Sequence, residues 1–523
     1  MACPLATHLS SSHTRYRSRN PKSHAAHQEA LKHLPGGNTR SSIFSAPFPL
    51  TIASGKNGTL TSLDGDTYID FLGEYSAGLL GHSNGRVANA VSKALTGGWN
   101  FGGISAHESA FAARVCDRFG EAGVEMVRFT NSGTEANMMA IATALAFVSN
   151  NSGTNNTNHE NDDDASETRK STRSKILVFS NAYHGATLSF PMSLVVMDHD
   201  DGNMGKAVLS GGATGPAATN LPHDFVLAPY NNIAETRAII DSLHPTKASL
   251  AAILFEPMQG AGGCRPATKE FAHFLRQVAD EHSALLIADE VMTSRLGPAG
   301  LCVGFLGIEP DIMTLGKWVG GGMSFGAFGG RREIMELYLP RDSGGGNGKG
   351  TGKGRLSHAG TFNNNILTMV AGQEALGIYT RERVRGLNGL GDKLRKGVWR
   401  LLVDRGIIDA SVGKGVDGYG GLYREEVGVV EVDTFDKEKE KGEAKTLPRM
   451  FVSGYGSLIT MRFTGEAAEA WKALFYHHML EENIYLAMRG YMALTMEATE
   501  VEVDRFIRCV DGFLDRYKEL LLV

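Results

Sequence analysis

Nowhere in this 523-residue chain is there an unbroken apolar stretch of the roughly 18 to 20 residues that a membrane-spanning helix needs. Its N-terminal segment also lacks the apolar core of a secretory signal, so no membrane partner is expected. Cysteine is scarce. The five cysteines (Cys3, Cys116, Cys264, Cys302 and Cys509) have no short spacing between them, which argues against a disulfide framework and against a CxxC metal site. No metal is expected. Neither sign of charge dominates: 52 Lys and Arg against 57 Asp and Glu leave a formal net charge of −5 without a dense basic block. Nothing electrostatic calls for nucleic acid.

What is present is an ordinary globular composition, 42% hydrophobic and 21% charged, on a chain long enough for roughly two or three domains. Three stretches read as additions to a compact body. Residues 149–174 ("SNNSGTNNTNHENDDDASETRKSTRS") are polar and aperiodic, as expected of a disordered insertion. The glycine-lysine run 343–354 and the charged patch 435–445 have the same character. At the N-terminus, Arg15, Arg17 and Arg19 precede the first acidic residue, Glu29, a pattern shared with transit peptides.

Between these stretches, short apolar runs alternate with helical patterns. "VRFTNSGTEANMMAIATALAFV" (127–148) predicts strand, tight turn and helix. "KILVFSNAYHG" (175–185), "LAAILFEPMQG" (250–260) and "ALLIADEVM" (284–292) each predict a buried strand closed by polar residues. That is an α/β layout with a mostly parallel sheet, and in such sheets ligands gather at the carboxyl ends of strands. Ser132 and Glu135 have capping-box spacing around Gly133, which specifies a helix start able to bind phosphate. In "LLIADEVM", Asp289 and Glu290 close an apolar run, where a buried carboxylate requires a partner. Mg²⁺ with a nucleotide is one such partner, but no GxxxxGK[ST] loop accompanies it. A protonated ring nitrogen is the other. "TLGKWVGGGMSFGAFGG" (314–330) sets a single lysine, Lys317, in a small and apolar run; it also contains the GxSxG pattern of a hydrolase elbow around Ser324, without the apolar strand an elbow needs directly before the serine.

A phosphate-binding turn, a strand-end aspartate and a glycine-flanked lysine are together the parts needed to hold pyridoxal 5'-phosphate and attack its aldehyde. In order, "NSGTEA", "NAYHG", "EPMQG", "DEVMTSRLG", "TLGKWVGGG" and "GTFNNN" resemble the class-III pyridoxal-phosphate aminotransferases, which include glutamate-1-semialdehyde aminomutase. "LPGGNTRSSIFSAPFPL", "EYSAGLLGHS", "SGYGSLI" and a late "RGY" resemble the β-amino-acid (β-phenylalanine) aminotransferases within that group. The resemblance implies that Lys317 forms the internal aldimine and shuttles the proton, and that Asp289 faces the pyridine nitrogen. It implies that Ser132, Gly133 and Thr134 hold the phosphate, that Tyr183 and Val291 flank the ring, and that Gln259 reaches the ring hydroxyl. Thr361 would complete the phosphate site of a neighbouring subunit, giving a homodimer with shared active sites. Arg40 and Arg489 would bind the carboxylates of the amino acid and of a 2-oxo acid such as 2-oxoglutarate.

The fold so implied is the fold-type I pyridoxal-phosphate transferase. It has a flexible N-terminus over 1–13, a large cofactor domain over 76–374, and a smaller α+β domain from both chain ends, 14–75 and 375–523. Residues 470–486 predict an apolar-rich helix leading into a strand. The expected activity is amino transfer from a β-amino acid to a 2-oxo acid, the alternative being an aminomutase whose lid would be residues 199–221. "AAHQEALKHL" and "LPGGNTR" match the family's first helix, so the cytoplasm is the expected location and mitochondrial import the alternative.

Overall fold

A computed structural model describes residues 4–152, 173–190, 193–195, 208–210, 223–243, 250–339, 356–408, 421–424, 428–431 and 448–522. Most of the expected insertion 149–174, all of 343–354 and 435–445, and the stretch 199–221 apart from Val208–Ser210 lie outside the described residues.

Seven strands form the central sheet, numbered here in chain order: β1 (Met126–Thr130), β2 (Lys175–Phe179), β3 (Asp224–Ala228), β4 (Leu250–Phe255), β5 (Leu285–Asp289), β6 (Ile312–Gly316) and β7 (Gly326–Gly330). Their spatial order is β3-β2-β4-β5-β6-β7-β1. The pairs from β3 to β6 are parallel, and β7 runs antiparallel to both of its neighbours. Every residue of β4, β5, β6 and β7 is buried, which is why β4 reads "LAAILF" without alternation: both faces are covered.

The covering helices show how. Helix Lys269–His282 begins at Thr268, whose side chain accepts from the Phe271 N–H at 3.1 Å, and ends at Ser283 in the left-handed region. It buries Phe271, Ala272, Phe274, Leu275, Val278 and Ala279, one helical stripe, against one face of the sheet. On the other face, helix Gly133–Ser152 lays down Ala136, Ala140, Ile141, Ala144 and Val148. The small residues of that stripe let the helix axis approach the sheet closely, which brings its first turn to the strand ends.

Both chain ends meet away from this sheet. Ile484–Tyr485 adds in parallel to Thr67–Asp70, with Ile484 opposite Ile69. It follows helix Ala468–Glu481, the helix-to-strand step that the 470–486 pattern predicts. The expected flexible stretch 1–13 requires correction. From Pro4 the chain is already helical, to Arg19, and Leu5 and Tyr16 are buried. Arg15 reaches Glu481 at 2.8 Å and the His13 and His477 rings lie 4.9 Å apart, so apolar and polar contacts both dock this helix. Two of the expected boundaries also cut through elements, 374/375 inside helix Ile366–Ile378 and 75/76 inside the turn Gly73–Ser76.

Candidate active site

Asp289 is the last residue of β5, and Lys317 follows the last residue of the neighbouring β6. The sheet therefore delivers an amine and a carboxylate to one end of two hydrogen-bonded strands. Lys317 has a φ of +52°, a left-handed conformation unusual for a residue with a side chain, and it leads into the buried Trp318 and Val319. Burial pushes the Lys317 ammonium below its ordinary pKa, with Asp289 and Glu256 pulling the other way. A lowered ammonium pKa favours the neutral amine, the form in which a lysine is nucleophilic and basic.

Asp289 is fixed from three directions. Its Oδ2 accepts from Asn137 Nδ2 and from His184 Nδ1, both at 2.8 Å, and its Oδ1 accepts from the Val291 N–H at 3.0 Å. Asn137 is itself oriented, since its Oδ1 accepts from Thr314 Oγ1 at 2.7 Å and its Nδ2 also donates to the His184 carbonyl at 3.0 Å. Because the carboxylate can only accept, His184 must carry its proton on Nδ1. Its Nε2 is buried and has no hydrogen-bond partner among the described residues.

The helix start lies alongside. Ser132 Oγ accepts from the Glu135 N–H at 3.2 Å, one half of the expected capping box. The other half is displaced, for the Glu135 carboxylate accepts from the Asn131 N–H at 2.9 Å. The first N–H groups after Ser132 have no intrahelical acceptor, which is the property a phosphate site uses. Val291 packs into this corner. A Cβ placed on Gly133 or Gly316 would lie 2.7 Å or 3.0 Å from its Cγ1, so both glycines are needed for the valine to sit between helix start and β6. Gly185, with a φ of +121°, brings the "NAYHG" turn against Thr134, where an added Cβ would be 2.1 Å from Oγ1.

Other expected residues are placed less uniformly. Tyr183 is 47% exposed, its N–H donating to Glu256 Oε2 at 3.0 Å. Gln259 is fully buried, and its Nε2 donates to the Ser180 carbonyl at 2.7 Å. Thr361 is exposed in a segment held by Asn363, whose Oδ1 accepts from Asn131 at 2.9 Å. Arg40 and Arg489, far apart in the chain, each place a guanidinium carbon 5.3 Å from the ring centroid of Tyr75. Ser324 is exposed and precedes β7 after a turn, the reverse of the strand-serine-helix order of a nucleophile elbow. The hydrolase alternative fails on that order.

Asn137, His184, Glu256, Thr314 and Tyr75 were not singled out from the sequence. His184, Glu256 and Thr314 sit within strand-end motifs, and Asn137 lies one helical turn beyond Gly133, so position relative to the strand ends could have found four of them. Glu256 is buried and accepts from the Tyr183 and Gly260 N–H groups; burial pushes its carboxyl up to about 7, against the opposing pull of His184. Tyr75 lies within "EYSAGLLGHS", but nothing in that stretch marks the tyrosine as a partner of two arginines.

The model of the aminotransferase class-III family matches residues 42–415. The β-phenylalanine transaminase of Variovorax paradoxus is 36% identical over 98% of this chain and 97% of its own length. The chain belongs to the class-III aminotransferases. A glutamate-1-semialdehyde 2,1-aminomutase from Methanothermobacter thermautotrophicus is 34% identical over 73% of the chain and 79% of its own length. Among solved structures, the Variovorax paradoxus β-phenylalanine aminotransferase superposes with a TM-score of 0.75 at 34% identity, covering 99% of both chains. An ω-transaminase from Sphaerobacter thermophilus gives 0.72 at 27% identity, covering 94% of this chain and 97% of its own. The fold is that of the fold-type I transferases, and the cofactor of this aminotransferase is pyridoxal 5'-phosphate. The donor set fits that group: a buried amine of lowered pKa, a carboxylate fixed by three donors, a helix start with free N–H groups, and glycines where a Cβ would fill the cradle.

Proposed function

We propose that this class-III aminotransferase takes its amino group from a β-amino acid of the β-phenylalanine type and delivers it to a 2-oxo acid such as 2-oxoglutarate. The observation that carries this reading is the convergence of Arg40 and Arg489 on Tyr75, with Arg489 also close enough to influence Lys317. Two substrates that each bear a carboxylate then meet guanidinium groups at the mouth of one site. The full-length likeness to a β-phenylalanine transaminase supports the donor class.

Pyridoxal phosphate supplies an electron-withdrawing ring that accepts the electrons released when the C–H bond at the amine-bearing carbon breaks. The protein positions everything else. Lys317 would hold the cofactor covalently and, when free of it, would carry the proton on Nζ, whose ammonium burial holds below its ordinary pKa. Asp289 would keep a proton on the ring nitrogen by a charge-assisted hydrogen bond, and Asn137 and His184 hold Asp289. Ser132, Gly133 and Thr134 would bind the phosphate, Tyr183 and Val291 would bound the ring faces, and Gln259 would serve the ring hydroxyl.

Thr361 from a second copy completes the phosphate site. Supporting a dimer, Leu95, Trp99, Phe101, Ile104 and Phe362 are all exposed, and a backbone bond from Ile366 N–H to Trp99 O at 3.1 Å joins the two segments that carry them. A cytoplasmic location is part of this proposal; among the described residues, no helix is long and apolar enough to cross a membrane.

The test is the absorption spectrum of the holoenzyme. β-Phenylalanine is expected to bleach the visible cofactor band and 2-oxoglutarate to restore it. A band unmoved by β-phenylalanine, with turnover of glutamate-1-semialdehyde in the absence of any acceptor, would replace this reading with the aminomutase.

A further inference from the structure

Four consecutive residues, Gly73, Glu74, Tyr75 and Ser76, have φ of +51°, +49°, +54° and +77°. Three of them carry side chains, for which this region is disfavoured, and such a run persists only where its surroundings over-determine it. Those surroundings are specific. Asp70 Oδ1 accepts from the Leu72 and Gly73 N–H groups at 2.8 Å and 3.1 Å. Asp70 Oδ2 pairs with His82 Nε2 at 2.9 Å, and His82 Nδ1 lies 3.5 Å from Glu74 Oε1. Gly73 is pressed against the Ala493 carbonyl, where a Cβ would come to 2.3 Å. An imidazole clamped between two carboxylates thus ties Glu74, inside the left-handed run, to the aspartate that holds the run's start.

The product of this strain is the placement of one ring. Tyr75 Oη donates to the Ser42 carbonyl at 2.6 Å, two residues after Arg40. Its ring stacks on Tyr491, two residues after Arg489, with centroids 5.6 Å apart and planes 16° apart. Tyr75 is therefore tied to the backbone turn that carries one arginine and to the aromatic neighbour of the other, and both guanidinium groups lie 5.3 Å from its centroid. Three segments distant in sequence are joined through this side chain. A ring used only for packing would not need its hydroxyl directed to one arginine's turn and its face to the other's.

We infer that Tyr75 is a positioning residue for both arginines, held in place by the Asp70–His82–Glu74 clamp, so that the carboxylates of donor and acceptor are read from one shared aromatic platform. This rests on the proposed roles of Arg40 and Arg489 as carboxylate-binding residues. It goes beyond them in requiring that the two recognitions rise and fall together.

The experiment is calorimetric binding to the holoenzyme of two unreactive carboxylates, 3-phenylpropanoate in place of the donor and glutarate in place of the acceptor, with steady-state kinetics alongside. Tyr75→Leu is expected to weaken both by roughly three- to thirtyfold, the range of a partly desolvated cation–π contact. KM for β-phenylalanine and for 2-oxoglutarate should rise in parallel while kcat moves less than either. Tyr75→Phe, which keeps the ring and loses the Ser42 bond, should shift both constants in the same direction by less. Should the leucine variant fail to fold, the phenylalanine variant carries the test alone. Unchanged affinities, or a change confined to one ligand, overturn the inference. Wild type that binds neither carboxylate overturns the proposed function instead, and the inference with it.

Discussion

The floor of the site and its mouth use different means to hold charged groups. At the floor, Asp289 is buried and receives three hydrogen bonds, from helix Gly133–Ser152, from the "NAYHG" turn and from the turn after its own strand. At the mouth, Arg489 is half-buried and Arg40 exposed, and what the structure gives them is an aromatic surface on a left-handed turn. The difference follows from the work each is proposed to do. A group that serves a resident cofactor meets the same partner in every turnover, so rigidity costs nothing. Groups that must receive two different carboxylates in alternation gain from a sequence-tolerant, weakly directional support, which a π-face provides.

If that contrast is right, damage to the floor appears in kcat and damage to the mouth in KM. Lys317→Ala removes the covalent anchor and the proton carrier together. Its loss in kcat is expected to reach roughly ten-thousandfold, with the visible band gone, measured by single-turnover kinetics and absorbance. Asp289→Asn comes next. An amide presents only one acceptor oxygen to Asn137, His184 and the Val291 N–H, so one of three donors faces an NH₂ group. A fall in kcat of about a hundredfold to a thousandfold is expected, with both KM values little changed. A large KM effect in Asp289→Asn would erase the distinction between floor and mouth.

That division also marks what could be read from the chain beforehand. The strand-end position of Asp289 and the helix start at Ser132 were legible because parallel-sheet physics writes them locally, as an unbroken apolar run and then a polar residue where the run stops; Lys317 stood out instead as the one cation in a small and apolar run, and the strand before it came only with the structure. The central fold was legible for the same reason. The N-terminal helix was not, because its burial depends on Leu5 and Tyr16 meeting a helix more than 450 residues away, and its own composition is polar. Tyr75 was invisible for a related reason. Its role is made by Ser42, Tyr491, Arg40 and Arg489, and no window of sequence contains them. Glu135 shows a finer limit: capping-box spacing was correct, but the carboxylate chose the Asn131 N–H over that of Ser132.

A smaller effect is expected at the mouth. Arg489→Met keeps the aliphatic stem and removes the guanidinium, so packing on Tyr75 and Tyr491 is largely preserved. Loss of a charge-assisted hydrogen bond, about 1.5–3 kcal/mol, should raise KM for 2-oxoglutarate by roughly ten- to a hundredfold and leave the donor half-reaction less affected. Stopped-flow measurement of each half-reaction separates the two. An equal loss in both would mean that Arg489 supports the floor, through its influence on Lys317, and not the mouth.

The smallest effect expected is one of pH, and it distinguishes the two regions by where stability is lost. Buried Glu256, at the floor, has its carboxyl pushed up to about 7 by desolvation from an ordinary 4.5. His82, at the mouth, is pushed up to about 9 from 6.5 by its hydrogen bonds to Asp70 and Glu74. Both groups bind protons more tightly in the folded chain, so each stabilisation is complete below the unfolded value and is lost as pH rises through the folded one. The Glu256 contribution is therefore spent by about pH 7, whereas that of His82 falls away between pH 6.5 and about 9. His82→Gln should thus flatten the decline of Tm above pH 7 and leave the decline below pH 6.5 in place, as followed by thermal melts of the holoenzyme. An undiminished slope between pH 7 and 9 in His82→Gln would mean that the imidazole is not what holds the left-handed turn, and the mouth would need another support.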